Sequence, residues 1–158
     1  MNFNWITYNS KYKAIVDSWL DDDTRRFTAI DDSFDNYVQY WKTNSDSNKG
    51  EYFWSKVIAD KNGIALGVIA IGLCDDVFMI SEYVIDPQKR NKGYGTSALK
   101  ELLLESERII GKKILIANAV IFPSNKASQK AFEKAGFKYE TTHPDGDAMY
   151  YTYTHKND

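Results

Sequence analysis

Cysteine is all but absent. Cys74 is the only one in 158 residues, so no internal disulfide forms and no thiolate metal cluster is built. Histidine is nearly as scarce. His143 and His155 are the only two, too few for most metal sites, and no metal is expected. No apolar run reaches the roughly 18 residues that a membrane-spanning helix needs. The longest, GIALGVIAIGLC from Gly63 to Cys74, has the length of a buried strand. An excess of one charge is also missing. Twenty Lys and Arg against 22 Asp and Glu leave a formal charge of −2, which gives no whole-molecule pull toward nucleic acid or a membrane surface. The opening MNFNWITYNSKYK has neither a long apolar core nor a cleavage site, so no signal peptide is expected and a cytoplasmic location follows. What remains is 43% hydrophobic and 27% charged residues, the balance of a globular chain. With no repeat and no linker, residues 1–158 are expected to form one domain with a core of useful size.

Alternation in FNWITY predicts a strand from Phe3 to Tyr8. Ser10 is the expected cap of a helix running to Leu20, with Tyr12, Ile15 and Trp19 at helical spacing. The acidic run at 21–23 is expected to end that pattern. A second helix is expected from Phe34 to Lys42, capped by Ser33, with Phe34, Tyr37, Val38 and Trp41 on one face. EYFWSKVIAD and IALGVIAIGL flank Lys61-Asn62-Gly63, and Asn-Gly predicts a tight hairpin. A turn at Asp75 and Asp76 leads into VFMISEYVIDP, ended by Pro87. A helix from about Tyr94 to Ile110, a strand KKILIANAVI and a helix from Asn125 to Lys134, stopped by Gly136, follow. FKYETT and AMYYTYTH close the chain as a strand pair around PDGD. This order predicts an α+β fold: a mixed, mostly antiparallel sheet of about seven strands flanked by about four helices. Its parallel pair is the one joined by a helical crossover.

The chemistry concentrates in QKRNKGYGTSALKELLLE, residues 88–105. Lys89, Arg90 and Lys92 crowd against Gly93 and Gly95 where an amphipathic helix begins. A helix N-terminus leaves N–H groups unpaired and carries partial positive charge, and glycine lets an anion approach the backbone. A pyrophosphate suits such a site; a solvated basic turn is the plainer alternative. Gly93 to Ala98 also fits the dinucleotide pattern G-x-G-x-x-A. That reading fails on context. The loop follows an antiparallel meander, and no acidic residue ends a strand some 20 residues later. The P-loop pattern is absent.

Arg90-Asn91-Lys92-Gly93-Tyr94-Gly95, just after YVIDP, resembles the R-x-x-G-x-G cofactor loop of the GNAT superfamily of acetyl-CoA-dependent N-acetyltransferases. Asn125-Lys126-Ala127-Ser128 followed by AFEKAGF, Ala131 to Phe137, resembles the second motif of that superfamily, N-x-x-S/A-x-x-x-Y/F-x-K-x-GF. The resemblance covers essentially the whole chain, most weakly in the first 50 residues. It implies that the strand before the loop splays from its parallel neighbour and that the pantetheine arm lies in the gap. Tyr83, Val84 and Ile85 would then pair with that arm through their backbone. Arg90, Asn91, Lys92, Gly93, Tyr94, Gly95 and Thr96 would wrap the pyrophosphate. Asn125 and Ser128 would hold the far end of the arm, with Phe132 packed beneath it.

Acyl transfer from a thioester to an amine needs a base, an oxyanion donor and a leaving thiolate. By position, the backbone N–H near Val84 is the expected oxyanion donor. Glu82 is the expected base, through partial burial on a strand that borders the acyl group. Two alternatives stand beside it. Glu82 faces solvent, or the acid position of the aminoglycoside-modifying branch falls one residue earlier, on Ser81. A one-residue step changes the face of a strand unless a bulge intervenes. Many members carry tyrosine where this chain has Phe132, so another tyrosine or water must protonate the thiolate. Cys74 has no histidine nearby in sequence, which favours direct transfer over a covalent enzyme intermediate.

For the acceptor, acids cluster at 21–23, at Asp31, Asp32 and Asp35, and at Asp145 and Asp147. Asp22, Asp145 and Asp147 are the expected substrate contacts, with solvated loop acids as the alternative. The tail His143 to Tyr150, HPDGDAMY, resembles the PDG-x-A-x-Y tail of aminoglycoside 6′-N-acetyltransferases. The resemblance therefore implies a small cationic amine, aminoglycoside-like or polyamine-like, as acceptor. A peptide N-terminus, as in the ribosomal-protein-acetylating branch, comes second. A non-catalytic acetyl-CoA sensor or interaction module is the reading from another class. Either a monomer or a homodimer is compatible with the sequence.

Overall fold

The apolar run Ala65–Cys74 forms a strand buried on both faces, so its two sides must each find a helical cover. A computed structural model describes residues 2–156. In chain order the elements are β1 (Asn4–Thr7), α1 (Lys13–Trp19), α2 (Asp22–Arg26), α3 (Phe34–Asn44), β2 (Tyr52–Ala59), β3 (Ala65–Cys74), β4 (Val77–Ile85), α4 (Tyr94–Leu104), α5 (Ser106–Ile110), β5 (Ile116–Ile121), α6 (Lys126–Lys134), β6 (Lys138–Thr142) and β7 (Met149–Thr154). The strands form one seven-stranded sheet in the order β1-β2-β3-β4-β5-β7-β6. Among the described strands only β4 and β5 run parallel. The α+β architecture expected from the sequence is present, with two five-residue helices, α2 and α5, beyond the expected four.

Each face has its own core. Ile69, Ile71 and Leu73 of β3 pack with Leu99 and Leu102 of α4 and Phe132 of α6. Val68 and Ala70, the alternate residues, pack with Val16 and Trp19 of α1 and Phe34 and Val38 of α3. The period of two along the strand thus meets two separate helical stripes.

Local departures have local causes. Asn9, not Ser10, caps the first turn by accepting the Lys11 N–H, and that turn is 3₁₀; α1 begins only at Lys13. The acidic run does not simply end a helix. Asp21 caps α2 by accepting the Thr24 N–H, and Asp22 and Asp23 sit in its first turn, where the helix dipole favours anions. The long helix expected to reach Ile110 breaks at Glu105, whose φ of −121° leaves helical geometry. Asn62-Gly63 is not a two-residue hairpin. Asp60 accepts the N–H groups of Asn62 and Ile64, and only Gly63 has positive φ there. The tight turn is Asp75-Asp76, with both residues at positive φ, as a type I′ turn requires.

Glu101 of α4 is buried and ties β1 to the core. It accepts the Phe3 N–H at 3.0 Å and the Trp5 indole N–H at 2.5 Å, with Arg108 Nη2 at 3.8 Å. Glu101→Ala leaves two donors without an acceptor, and is expected to cost about 3 kcal/mol. A thermal melt should then fall by roughly 6–12 °C. A change of a degree or less would mean that β1 is held by its ladder with β2 alone.

Candidate active site

β4 and β5 pair only over Phe78–Ile80 and Ala117–Ala119. Beyond Ile80, β4 continues for five more residues beside β3 alone. The splay implied by the resemblance is therefore present, and its open edge belongs to Ser81–Ile85. Ladder alternation decides which backbone groups face the gap. The Asp86 N–H donates to Leu66 O at 2.8 Å. In the same register Val84 lies opposite Val68, so every second residue of β4 is bonded to β3. Val84 thus spends its N–H on β3. Tyr83 and Ile85 turn theirs to the open side, so the N–H facing the gap beside Glu82 is that of Tyr83 rather than that of Val84. Gly67 makes this tight pairing possible, because a Cβ there would lie 2.6 Å from Val84 O.

The position of Glu82 follows from a bulge. Opposite β3, Ala70 faces Glu82 but Ile71 faces Ile80, so Ser81 is the extra residue. Phe78 and Ile80 belong to the core under α4 and α6, whereas Val84 belongs to the core under α1 and α3. Without the bulge Glu82 would share the Ile80 face, a carboxylate in an apolar core at a cost of several kcal/mol. With it, Ser81 and Glu82 both reach the α3 side, and the choice between them no longer rests on strand parity.

Glu82 is 5% exposed. Its Oε1 accepts the Ala29 N–H at 2.7 Å, while Oε2 has no partner among the described residues and borders a cleft. Burial pushes its pKa up to about 7, against a smaller lowering by the Ala29 N–H. The cleft measures about 550 Å³ and is lined by Asp31, Asp32, Tyr37, Trp41, Ser81 and Glu82 among others. Tyr37 Oη donates to Ser81 Oγ at 2.9 Å, and Ser81 Oγ donates to Ala70 O at 3.3 Å, which pins the bulge. Tyr37 and Trp41 share the expected helix face; Tyr37 packs against the core under α1 and α3, Trp41 is largely exposed, and both line this cleft. A phenol on an otherwise apolar helix face was the available signal.

The loop after β4 supplies unpaired donors. Asn91 is left-handed at φ 63° and Gly93 at φ 84°, and α4 starts at Tyr94 with no side-chain cap. Among the described residues, no acceptor lies on the N–H groups of Asn91, Lys92, Gly93, Tyr94, Gly95 or Thr96. The Arg90 side chain is not free to join them. Its Nε donates to Ile85 O at 3.2 Å and its Nη2 to Thr24 Oγ1 at 2.9 Å, so it clamps the loop to α2. The Tyr94 ring turns inward against Phe3. Tyr83 Oη donates to Gly95 O at 2.6 Å, fastening the strand to the helix start.

Asn125 caps α6 by accepting the Ser128 N–H at 3.3 Å. Phe132 is buried, its ring centroid 6.0 Å from that of Tyr83 and 4.9 Å from that of Phe137. The acids expected to meet substrate lie on exposed turns. Asp22 is exposed in the first turn of α2, and Asp145 and Asp147 are exposed in the β6–β7 turn; none of them lines the cleft. Asp31 and Asp32, from the same acidic population, do. Among the described residues no group of three or more His, Cys, Asp or Glu is placed to hold a metal, and no helix is long and apolar enough to cross a membrane.

Known proteins share this fold. A spermidine N-acetyltransferase from Vibrio cholerae, solved with CoA and spermine, superposes with TM-score 0.75 over 96% of this chain and 95% of its own, at 12% identity. An aminoglycoside acetyltransferase, AAC(6′)-Ib, solved with coenzyme A and kanamycin, gives 0.69 over 97% and 95%, at 20% identity. At such identities the likeness is one of fold. In sequence, L-2,4-diaminobutyric acid acetyltransferase of Halalkalibacterium halodurans is 32% identical over 95 residues, 58% of this chain and 49% of that protein. The match thus spans about half the length of that relative. Residues 14–137, which hold the bulged strand, the loop and the Asn125–Phe137 motif, match the model of the acetyltransferase (GNAT) family, and the chain belongs to that family.

Proposed function

We propose that this chain transfers an acetyl group from acetyl-CoA to a small primary amine. The open edge of β4 carries the reading, because it sets Tyr83 and Ile85 backbone groups between a row of free N–H donors and an acidic cleft containing Glu82. The donors from Asn91 to Thr96 fit a pyrophosphate at a helix N-terminus, and the gap fits an extended arm that pairs with a strand edge. Asn125 and Ser128 would border that arm on the α6 side. When bound, acetyl-CoA supplies an acetyl group activated as a thioester. Asp31 and Asp32 attract the cationic acceptor. Glu82, poised near neutrality, takes the proton that the ammonium must lose. The Tyr83 N–H donates a hydrogen bond to the carbonyl oxygen as negative charge develops there. The family membership, the spermidine and aminoglycoside enzymes of the same fold and the diaminobutyrate relative support an amine acceptor.

Acetyl-CoA at about 100 times its Kd is expected to stabilise the protein by roughly 2.7 kcal/mol, raising Tm by roughly 5–11 °C. Gly95→Val is the sharper control than any change at Gly93. Gly93 needs its positive φ, whereas a Cβ on Gly95 meets nothing closer than 3.7 Å. The valine should leave the ligand-free melt nearly unchanged and abolish the shift. A shift with a nicotinamide dinucleotide and none with acetyl-CoA would overturn the assignment.

A further inference from the structure

The acceptor cleft does not end at Trp41. A second, smaller trough of about 220 Å³ continues along the same face of the sheet, sharing Trp41, Met79 and Ser81 with the cleft. Its floor is Phe53 of β2, Gly72 of β3 and Met79 of β4, which lie side by side in the ladder. The end of α3 forms its wall. Among the described residues no charged group lines it until its far end, where Glu51 stands beside Cys74. Glu51 Oε1 accepts the Asp46 N–H at 3.2 Å, which holds the carboxylate in place.

We propose that this trough is a distal acceptor subsite, and that the preferred acceptor is a linear amine with a long methylene spacer and a second ammonium seated at Glu51. The inference rests on the amine-acetylating reading above and narrows it. An acidic cleft alone would serve any cation, including a hydroxyl-rich one. An apolar trough that opens from such a cleft and closes on another carboxylate matches a chain that is charged at both ends and apolar between. Aromatic walls suit methylenes carrying ammonium ends. The ladder sets the length. Ala70 faces Glu82, Leu73 faces Tyr52, and Glu51 is therefore level with Cys74. Four positions along the strands and the two strand spacings from β4 to β2 separate the two residues by about 16 Å; with about 3 Å taken up by each ammonium–carboxylate contact, an extended spacer of about eight methylenes bridges the rest.

The test compares kcat/KM for ethylamine, n-octylamine, 1,8-diaminooctane and kanamycin at one pH. Each methylene that enters the trough is expected to raise kcat/KM about fourfold. 1,8-Diaminooctane should exceed n-octylamine by about tenfold or more. Glu51→Gln should erase the gap between those two. Gly72→Val should lower the ratio of 1,8-diaminooctane to ethylamine by about tenfold or more, because its side chain enters the trough. A Cβ at Gly72 meets only Tyr52 O, at 4.0 Å, so folding tolerates it, and an unchanged melt would verify this. Equal rates for ethylamine and the long amines, or a preference for kanamycin, would overturn the subsite while leaving amine acetylation intact. If none of the four amines releases free thiol from acetyl-CoA, the amine-acetylating reading falls and the subsite with it.

Discussion

Glu82→Gln is expected to lower kcat/KM for the best amine by about 100-fold or more and, at the same pH, to make the protein more stable. Both effects come from one fact. The fold holds this carboxyl at a pKa of about 7, against an ordinary 4.5, because it is buried. Between those two values the folded chain keeps the proton and the unfolded chain releases it. Stability therefore falls as pH rises from about 4.5 to about 7, and the deficit persists above. A shift of this size corresponds to a deficit on the order of 3 kcal/mol. Glutamine is neutral at every pH and still accepts the Ala29 N–H, so it escapes the deficit. Melts of the two proteins should coincide near pH 4 and separate by pH 8, with the variant higher by several degrees. Rate should behave in the opposite sense. The wild-type profile rises through about pH 7 as Glu82 loses its proton, and the variant loses that limb. Its remaining rate climbs only at higher pH, where free amine forms without help. Wild-type rates for the variant near pH 7 would remove Glu82 from the chemistry. Coincident melts at pH 8 would show that its burial costs nothing.

The conformation of residues 90–96 was legible because its causes are local. Positive φ at Gly93, free N–H groups at a helix start and nearby lysines all follow from a few adjacent residues. The strand order was legible for a similar reason, since alternation and turns are short-range. The bulge at Ser81 was not. Nothing in VFMISEYVI says which residue is extra. The answer comes from the two cores, which claim Ile80 and Val84 for opposite faces and leave Glu82 to follow Val84. The same limit applied to the acids. Asp22, Asp31, Asp32, Asp145 and Asp147 are equivalent as loop carboxylates, and only the packing of α3 over the sheet places two of them at a cleft. Arg90 failed in another way. Its charge fits a phosphate loop, but Thr24 lies 66 positions away in sequence and takes its guanidinium. The Val84 N–H was expected at the gap and instead faces β3, because register, not motif position, decides where an N–H points.

Phe132→Ala is expected to cost about 3–5 kcal/mol, the usual loss for a buried ring. Tm should drop by roughly 6–20 °C. The ring touches Tyr83 and Phe137 edge-on, so its removal also loosens the strand that borders the gap, and affinity for acetyl-CoA should weaken with it. Phe132→Tyr separates packing from proton transfer. The departing group is a thiol with a pKa of about 8.5, and it leaves without needing an acid as an alkoxide would. Tyr83, the nearest phenol to this ring, is committed to Gly95 O, and burial raises its pKa well above the ordinary tyrosine value. Water is then the expected proton source at neutral pH, after the bond has broken. On that account the new hydroxyl at 132 changes kcat by less than about tenfold, or about 1.4 kcal/mol of barrier. Both variants should be measured with the same amine and saturating acetyl-CoA. A hundredfold rise in kcat with tyrosine would mean that protonation of the thiolate limits the wild-type enzyme, and that phenylalanine at this position holds the reaction back.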